Sequence, residues 1–175
     1  DLYVANYVDF TYDNHVAEIT DGFPVYTGPR SYEPSRHSLY RNRGDGTFSD
    51  VSQSAGIARH PGPGMGMVCA DYDDDGYTDI FVLNDVFGNF CWHNNGQGGF
   101  QEVALLNCLK YNGDGVPMGS MGVDCADYNQ DGRLDFFQTS YQGEPPALFK
   151  NLGDGVFEDV TRLTGANVDG LKNVK

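Results

Sequence analysis

The sequence is poor in basic residues and contains no long apolar run. Lysine and arginine total 11 against 25 aspartates and glutamates, so the formal net charge of the 175-residue chain is −14. Such a charge repels nucleic-acid phosphates, which argues against a nucleic-acid partner and suits cations or a basic surface. Because the apolar runs are too short to span a bilayer, we predict no transmembrane segment.

The sequence also lacks the local motifs of common catalytic and zinc sites. It contains no Gly-x-Ser-x-Gly elbow, no phosphate-binding glycine loop, no HExxH and no CxxC spacing. We therefore predict no catalytic residues and no organic cofactor. One group of side chains could line a pocket, although a loop folded over the surface is the simpler interpretation. That group is Tyr26, Arg30, Tyr32, Arg36 and His37.

The four cysteines allow more than one interpretation. Cys69 and Cys125 occupy equivalent positions, two residues before an acidic loop, and we expect both to be buried on inner strands and not bonded to each other. Cys91 and Cys108 could form a disulfide in an oxidising compartment or remain free thiols.

An eleven-residue acidic pattern occurs twice, at residues 70–80 and 126–136. Oxygen-bearing side chains stand at loop positions 1, 3, 5 and 9, with glycine at position 6, a spacing that can wrap oxygens around a hard cation. The alternative is a solvated acidic turn held by side-chain hydrogen bonds. We predict two Ca²⁺ sites, the second weaker because Asn129 removes one charge. The expected ligands are Asp71, Asp73, Asp75, the Tyr77 carbonyl and Asp79 in the first loop, and Asp127, Asn129, Asp131, the Arg133 carbonyl and Asp135 in the second.

The last aspartate of each loop sets the register of a longer repeat. Asp79 and Asp135 each open an apolar strand and lie 56 residues apart (135 − 79). Asp1 opens a similar strand, so we predict that it is the ninth residue of a third metal loop and a further candidate ligand. The larger spacing from Asp1 to Asp79 leaves an insertion at residues 9–38 that the repeat does not explain.

A second landmark, an apolar strand followed by a Gly/Asp turn and another apolar strand, predicts a β-hairpin. It occurs at residues 39–51, recurs at 148–160, and has a degraded copy at 91–100. With one strand before and one after each acidic loop, a unit has four strands at a period typical of a β-propeller blade. We predict one all-β segment of just under three blades, at about 1–63, 64–118 and 119–175, within a longer polypeptide.

These motifs resemble FG-GAP/VCBS-like repeats. The shared features are the acidic loops, the Asp-Leu-Tyr-Val strand from Asp1, the hairpin at residues 39–48 and the Asp-Val-Ser-x-x-Ala-Gly tail at residues 50–56. More narrowly, they are similar to the bacterial relatives of cartilage acidic protein that often carry an ASPIC/UnbV domain. The resemblance implies an integrin-α-like partial β-propeller of four-stranded antiparallel blades that binds calcium and is extracellular or periplasmic.

The function expected from these features is a non-enzymatic, calcium-stabilised binding or scaffold module with a protein or glycan partner. One alternative is a catalytic propeller, such as a polysaccharide lyase or sugar dehydratase, and another is an accessory subunit of a larger assembly. We expect the insertion at residues 9–38 to be ordered, mostly irregular and placed against a partner or a neighbouring blade, because its aromatic residues suit an interface.

Overall fold

The computed structural model describes residues 1–166, and within them the regular structure consists mainly of short antiparallel strands. Two 3₁₀ turns, at Pro29–Ser31 and Ile57–Arg59, and one short helix, α1 (Thr161–Thr164), complete the regular structure. The strands are β1 (Leu2–Val4), β2 (Ala17–Thr20), β3 (Phe23–Tyr26), β4 (Ser38–Asn42), β5 (Phe48–Asp50), β6 (Gly64–Ala70), β7 (Asp79–Asn84), β8 (Phe90–Asn94), β9 (Phe100–Glu102), β10 (Ser120–Ala126), β11 (Asp135–Ser140), β12 (Ala147–Gly153) and β13 (Val156–Asp159).

The strands form three meandering sheets and one separate hairpin. The first sheet has the order β1-β4-β5, the second β6-β7-β8-β9 and the third β10-β11-β12-β13, while β2 pairs only with β3. Every neighbouring pair is antiparallel. The predicted all-β class is therefore confirmed, and so is the predicted succession of strand, acidic loop, strand and hairpin in the second and third sheets.

Strand β7 lies between two apolar clusters, which shows that the sheets stack face to face. Ile80 and Val82 belong to a cluster with Leu39 of the first sheet, whereas Phe81 belongs to a cluster with Phe136 of the third. All six β7 residues are buried, because successive side chains of a strand point to opposite faces and both faces are covered.

The first strands of the second and third sheets, β6 and β10, approach each other closely. A Cβ atom on Gly66 would lie 2.5 Å from the carbonyl oxygen of Met121, so this contact requires glycine. The prediction that Cys69 and Cys125 are buried is wrong, since Cys69 is exposed and Cys125 is half-buried. Both lie on edge strands that pair with a neighbour on one side only, so their side chains are less covered than those of β7.

All four cysteines are free thiols. Cys91 is buried and Cys108 is exposed, so the disulfide that the sequence left open between them is absent from the described residues. Cys69 and Cys125 are not bonded to each other, as expected.

Most of the insertion at residues 9–38 is irregular, and it also contains the β2–β3 hairpin. Asp21 and Gly22 form its turn with φ values of 54° and 83°, the positive angles that a two-residue type I′ turn needs. Both strands are exposed throughout, and the insertion returns to the body through a backbone bridge between Val8 and Pro34.

The predicted third unit extends past the described structure. It was predicted to reach residue 175, and residues 167–175 lie outside the described residues. Within residues 1–166, no helix is long and apolar enough to cross a membrane.

Candidate metal centre

The first acidic loop folds around the carboxylate of Asp71. Its two oxygens accept hydrogen bonds from the amides of Asp75 (3.1 Å) and Gly76 (3.0 Å), and Asp75 in turn accepts from the amide of Tyr77 (2.8 Å). Asp74 and Gly76 adopt left-handed backbone angles, with φ of 60° and 89°. These two reversals curl the loop so that the carboxylates of Asp71, Asp73 and Asp75 converge, while Asp74 is exposed.

The second acidic loop repeats this conformation. The carboxylate of Asp127 accepts hydrogen bonds from the amides of Asp131 (3.0 Å) and Gly132 (2.8 Å). Gln130 and Gly132 have φ of 60° and 88°, the same left-handed positions as in the first loop. Two sequences that share only spacing and residue type therefore adopt one conformation.

The last aspartate of each loop joins the loop to the following hairpin. One of its oxygens accepts a hydrogen bond from the backbone amide of an asparagine on the next-to-last strand of the sheet. The same bond occurs at Asp1, which supports its alignment with the other two aspartates, while its role as a metal ligand stays a prediction. The pairs are Asp79 with Asn94 (2.8 Å), Asp135 with Asn151 (2.8 Å) and Asp1 with Asn42 (2.9 Å).

The first loop gathers candidate ligand atoms into one compact set. Ligand atoms of Asp71, Asp73 and Asp75 lie within 4.8 Å of one another, and so do those of Asp73, Asp79 and His93. Asp79 is 1 % exposed, yet its Oδ2 has no hydrogen-bond partner, and Oδ1 of Asp73 is also buried without one. Unpaired buried carboxylate oxygens are costly, so this set suits a bound cation.

The electrostatics of the first loop point the same way. Burial raises the pKa of Asp79 to about 6, although the hydrogen bond from Asn94 acts in the opposite direction. Burial also raises the pKa of Asp73, and the neighbouring charge of Asp75 adds to the effect. Both carboxylates are thus poorly stabilised as anions by the protein alone, and a divalent cation would relieve that cost.

The second loop has a different charge balance. The guanidinium of Arg133 contacts Oδ2 of Asp131 at 2.7 Å, and the amide of Tyr128 donates to Oδ2 of Asp135 at 3.2 Å. Although desolvation opposes the effect, hydrogen bonds from Arg133 and Asn129 lower the pKa of Asp131. Within residues 1–166, three acidic or histidine ligands come within 4.8 Å of one another only in the first loop. Arg133 therefore neutralises part of the negative charge of the second loop.

His93 is a member of the first cluster that sequence reasoning missed. Its Nδ1 lies 3.3 Å from Asp73 Oδ2 and 3.4 Å from Asp79 Oδ1, and its Nε2 lies 4.0 Å from Asp75 Oδ2. In the strand registers His93 occupies the position of Arg41 and Lys150. The available signal was this alignment, which places a histidine where the other copies have a basic residue beside the loop.

The remaining predicted site residues have simpler environments. Tyr77 and Arg133 stand at loop position 7, and the coordination of a metal by their carbonyls stays a prediction. The Tyr/Arg/His group of the insertion does not face one cleft, because Tyr26 is 93 % exposed whereas His37 is buried and hydrogen-bonded inside the first sheet.

Comparison with known proteins identifies the repeat. The model of the FG-GAP-like repeat matches residues 21–82 and 71–138, two segments whose ends lie 56 residues apart (138 − 82), the spacing of the acidic loops. Cartilage acidic protein 1 is similar over 111 residues, with 30 % identity for Homo sapiens, 31 % for Xenopus tropicalis and 29 % for Mus musculus. That match covers 63 % of this chain and 16 % of each relative, so the chain corresponds to a small part of their length. The matched repeats, together with the recurring loop and sheet, show that the chain belongs to the FG-GAP-like repeat family.

Proposed function

We propose that this chain is a non-enzymatic binding or scaffold module, a partial β-propeller whose acidic loops are stabilised by Ca²⁺ and which acts outside the cytoplasm. The observation that carries the proposal is the set of buried, unpaired oxygens on Asp73 and Asp79 in the first loop. FG-GAP-like repeats on stacked four-stranded sheets supply the scaffold.

The donor atoms of the first loop suit calcium. Asp71, Asp73, Asp75 and Asp79 present carboxylate oxygens, the ligands that this hard cation takes at six to eight positions. The bound ion would supply the positive charge that the loop lacks. It would also link the loop to β8, since Asp79 already accepts the backbone amide of Asn94.

Binding through the insertion is supported by the exposure of its side chains. Phe23 is 72 % exposed and Tyr26 is 93 % exposed on the β2–β3 hairpin, and Ile19 faces solvent beside them. Aromatic side chains give large contact area and are enriched at interfaces. A protein surface or the apolar face of a sugar ring is the proposed class of partner.

A location outside the cytoplasm follows from the chemistry of the proposed sites. Calcium sites of extracellular modules have dissociation constants of about 10⁻⁴–10⁻³ M, which require the high calcium concentrations found there. The second loop, with Asn129 and the Arg133–Asp131 pair, has the lower negative charge expected of a weak site.

Thermal unfolding with and without a chelator tests this proposal. A ligand at 100 times its dissociation constant stabilises the native state by about 2.7 kcal/mol per site. For a chain of this size, that corresponds to a rise in Tm of about 5–10 °C. We expect calcium to produce a rise of this order and chelation to remove it. A Tm that does not respond to calcium would contradict the proposal.

A charge-matched pair of variants locates the effect. Asp73→Asn removes a negative charge inside the first cluster, whereas Asp74→Asn removes one that is exposed at the next position. Asparagine tolerates the left-handed conformation of residue 74 as aspartate does, so the control adds no backbone strain. We expect the calcium-dependent shift in Tm to shrink in Asp73→Asn and to persist in Asp74→Asn. Equal shifts in the two variants would show that the ion binds elsewhere.

A further inference from the structure

The two acidic loops share one backbone conformation but differ in the side chain that approaches from the hairpin. In the second sheet this side chain is His93 on β8, and in the third sheet the register places Lys150 on β12 at the same position. An ammonium group cannot ligate a metal while it is charged, whereas a neutral imidazole nitrogen can. The first loop therefore has a nitrogen donor that the second loop lacks.

His93 faces the ligand set and has an unused nitrogen. Its Nδ1 is buried, lacks a hydrogen-bond partner among the described residues, and lies 3.3 Å and 3.4 Å from oxygens of Asp73 and Asp79. Asp79 is itself buried, with Oδ2 unpaired. Ligand atoms of His93, Asp73 and Asp79 thus lie within 4.8 Å of one another, close enough to share one ion.

We propose that His93 is a metal ligand, and that the first loop binds first-row transition dications such as Zn²⁺ through a mixed carboxylate and imidazole set. Calcium takes oxygen ligands almost exclusively and gains little from a nitrogen. Imidazole suits Zn²⁺ and its neighbours, which also accept carboxylates. This inference deepens the proposed metal function of the first loop and rests on that loop being a cation site.

The second loop provides a comparison within the same chain for the preference of the first loop for Zn²⁺. Asn129 replaces a carboxylate there, Arg133 pairs with Asp131, and Lys150 adds a positive charge at the hairpin position. Each of these differences lowers the affinity for a small, strongly polarising dication. The first loop is therefore expected to hold Zn²⁺ more tightly than the second.

Calorimetric titration of the full, metal-free chain with Zn²⁺ and, separately, with Ca²⁺ tests the assignment. The test variant is His93→Asn, and the matched control is Lys150→Asn at the equivalent position of the third sheet. Loss of even an outer-shell partner costs 10–100-fold in metal affinity, so we expect His93→Asn to weaken Zn²⁺ binding by about tenfold or more. Calcium affinity in His93→Asn, and tight Zn²⁺ binding in Lys150→Asn, should change by less than about threefold.

Nuclear magnetic resonance of the histidine rings in the unmodified chain provides a second readout that does not depend on a variant folding. One equivalent of Zn²⁺ should shift the ring resonances of His93 and leave those of His15, His37 and His60 in place. Unchanged His93 resonances, or Zn²⁺ affinity that survives in a folded His93→Asn variant, would overturn the inference. Failure of Ca²⁺ alone to bind, with His93-dependent Zn²⁺ binding intact, would overturn the calcium proposal and support the role of His93.

Discussion

At the scale of single residues, His37 connects the first sheet to the second through a buried polar network. Its Nε2 lies 2.9 Å from the carbonyl oxygen of Gly62, so this nitrogen carries the proton. Nδ1 then accepts from the hydroxyl of Tyr3 at 2.6 Å, and that hydroxyl accepts from the indole of Trp92 at 3.1 Å. The network is satisfied only when His37 is neutral, because a protonated Nδ1 would be a donor facing the Tyr3 hydroxyl.

This network predicts that stability falls when the pH drops below about 6.5, the ordinary pKa of histidine. Burial lowers the pKa of His37 in the folded state. Between the lowered pKa and the ordinary one, the unfolded chain holds a proton that the folded chain does not, so acidification favours unfolding. The free energy of unfolding, measured with urea in calcium between pH 7.5 and about pH 5, should decline less in His37→Gln than in the unmodified chain.

The control for this pH effect is His15→Gln, which removes an exposed imidazole. Its stability should follow that of the unmodified chain at every pH. If the difference in unfolding free energy between His37→Gln and the unmodified chain were constant with pH, the buried histidine would not be the titrating group.

The failures of sequence reasoning at this scale have specific physical causes. Cys69 was expected in the core because it precedes an acidic loop on a predicted inner strand, but a strand at the edge of a sheet is covered less than a central one. His93 was overlooked because a contact between a hairpin and a loop 14 or more residues away leaves no local pattern. The loop aspartates, in contrast, were found from spacing alone, and the structure brings those of the first loop together.

At the scale of elements, a recurring side-chain bridge ties the end of each sheet to its next-to-last strand. In the first sheet, the hydroxyl of Ser52 accepts from the amide of Leu39 (2.9 Å) and donates to Asp50 (2.5 Å). In the third sheet, Thr161 accepts from the amide of Leu148 (2.8 Å) and donates to Asp159. The motif Asp-Val-Ser/Thr therefore satisfies a buried backbone donor of β4 or β12.

In the second sheet, a glutamate accepts the equivalent buried backbone amide directly. Its sequence is Glu102-Val103-Ala104, which has no hydroxyl. Oε1 of Glu102 accepts directly from the amide of Cys91 at 3.3 Å and from the amide of Ala104 at 2.8 Å. The extra methylene of glutamate lets the carboxylate reach the donor that a hydroxyl serves in the other sheets.

These bridges predict that removing the hydroxyl lowers the free energy of unfolding and that a longer acid restores it. Ser52→Ala leaves the buried amide of Leu39 without an acceptor and should cost about 1–3 kcal/mol of unfolding free energy. Adding Asp50→Glu to that variant should restore most of the loss, because it recreates the Glu-Val-Ala arrangement of the second sheet. Denaturant unfolding of the single and double variants measures both changes.

Ser54→Ala is the matched control, since this exposed serine donates only to the carbonyl of Val51. Its effect should stay within about 0.5 kcal/mol. A double variant no more stable than Ser52→Ala would show that a longer acid cannot replace the hydroxyl bridge.

In the insertion, the turn of the β2–β3 hairpin could be found from sequence. Thr20-Asp21-Gly22-Phe23 has the Asp-Gly pair typical of a tight hairpin, and the structure forms that turn between β2 and β3. The strand before the turn also alternates apolar and polar residues, so the hairpin itself could be found from sequence. Its full exposure on both strands could not, because that alternation usually marks a strand with one buried face.

At the scale of the whole molecule, the repeat explains why three sheets of different sequence stack in the same way. Each interface buries an apolar cluster, and polar bridges such as Asn89 to Gln138 (3.1 Å) and Asn151 to the carbonyl of Tyr72 (2.8 Å) fix neighbouring sheets. Sequence predicts the stacking through its period, and the apolar strand β7 of the second unit needs cover on both faces. The acidic loops lie at one end of each of the second and third sheets, where a bound ion would fix the loop to the hairpin.

Calcium titration of the full chain by calorimetry tests the central claim most directly. We predict two binding events per chain, the tighter one lost in Asp79→Asn and the weaker one lost in Asp135→Asn, because each substitution removes the buried carboxylate that ends its loop. The tighter event belongs to the first loop, which has four carboxylates and unpaired buried oxygens. Absence of calcium binding at millimolar concentration, or binding that neither substitution alters, would contradict the account.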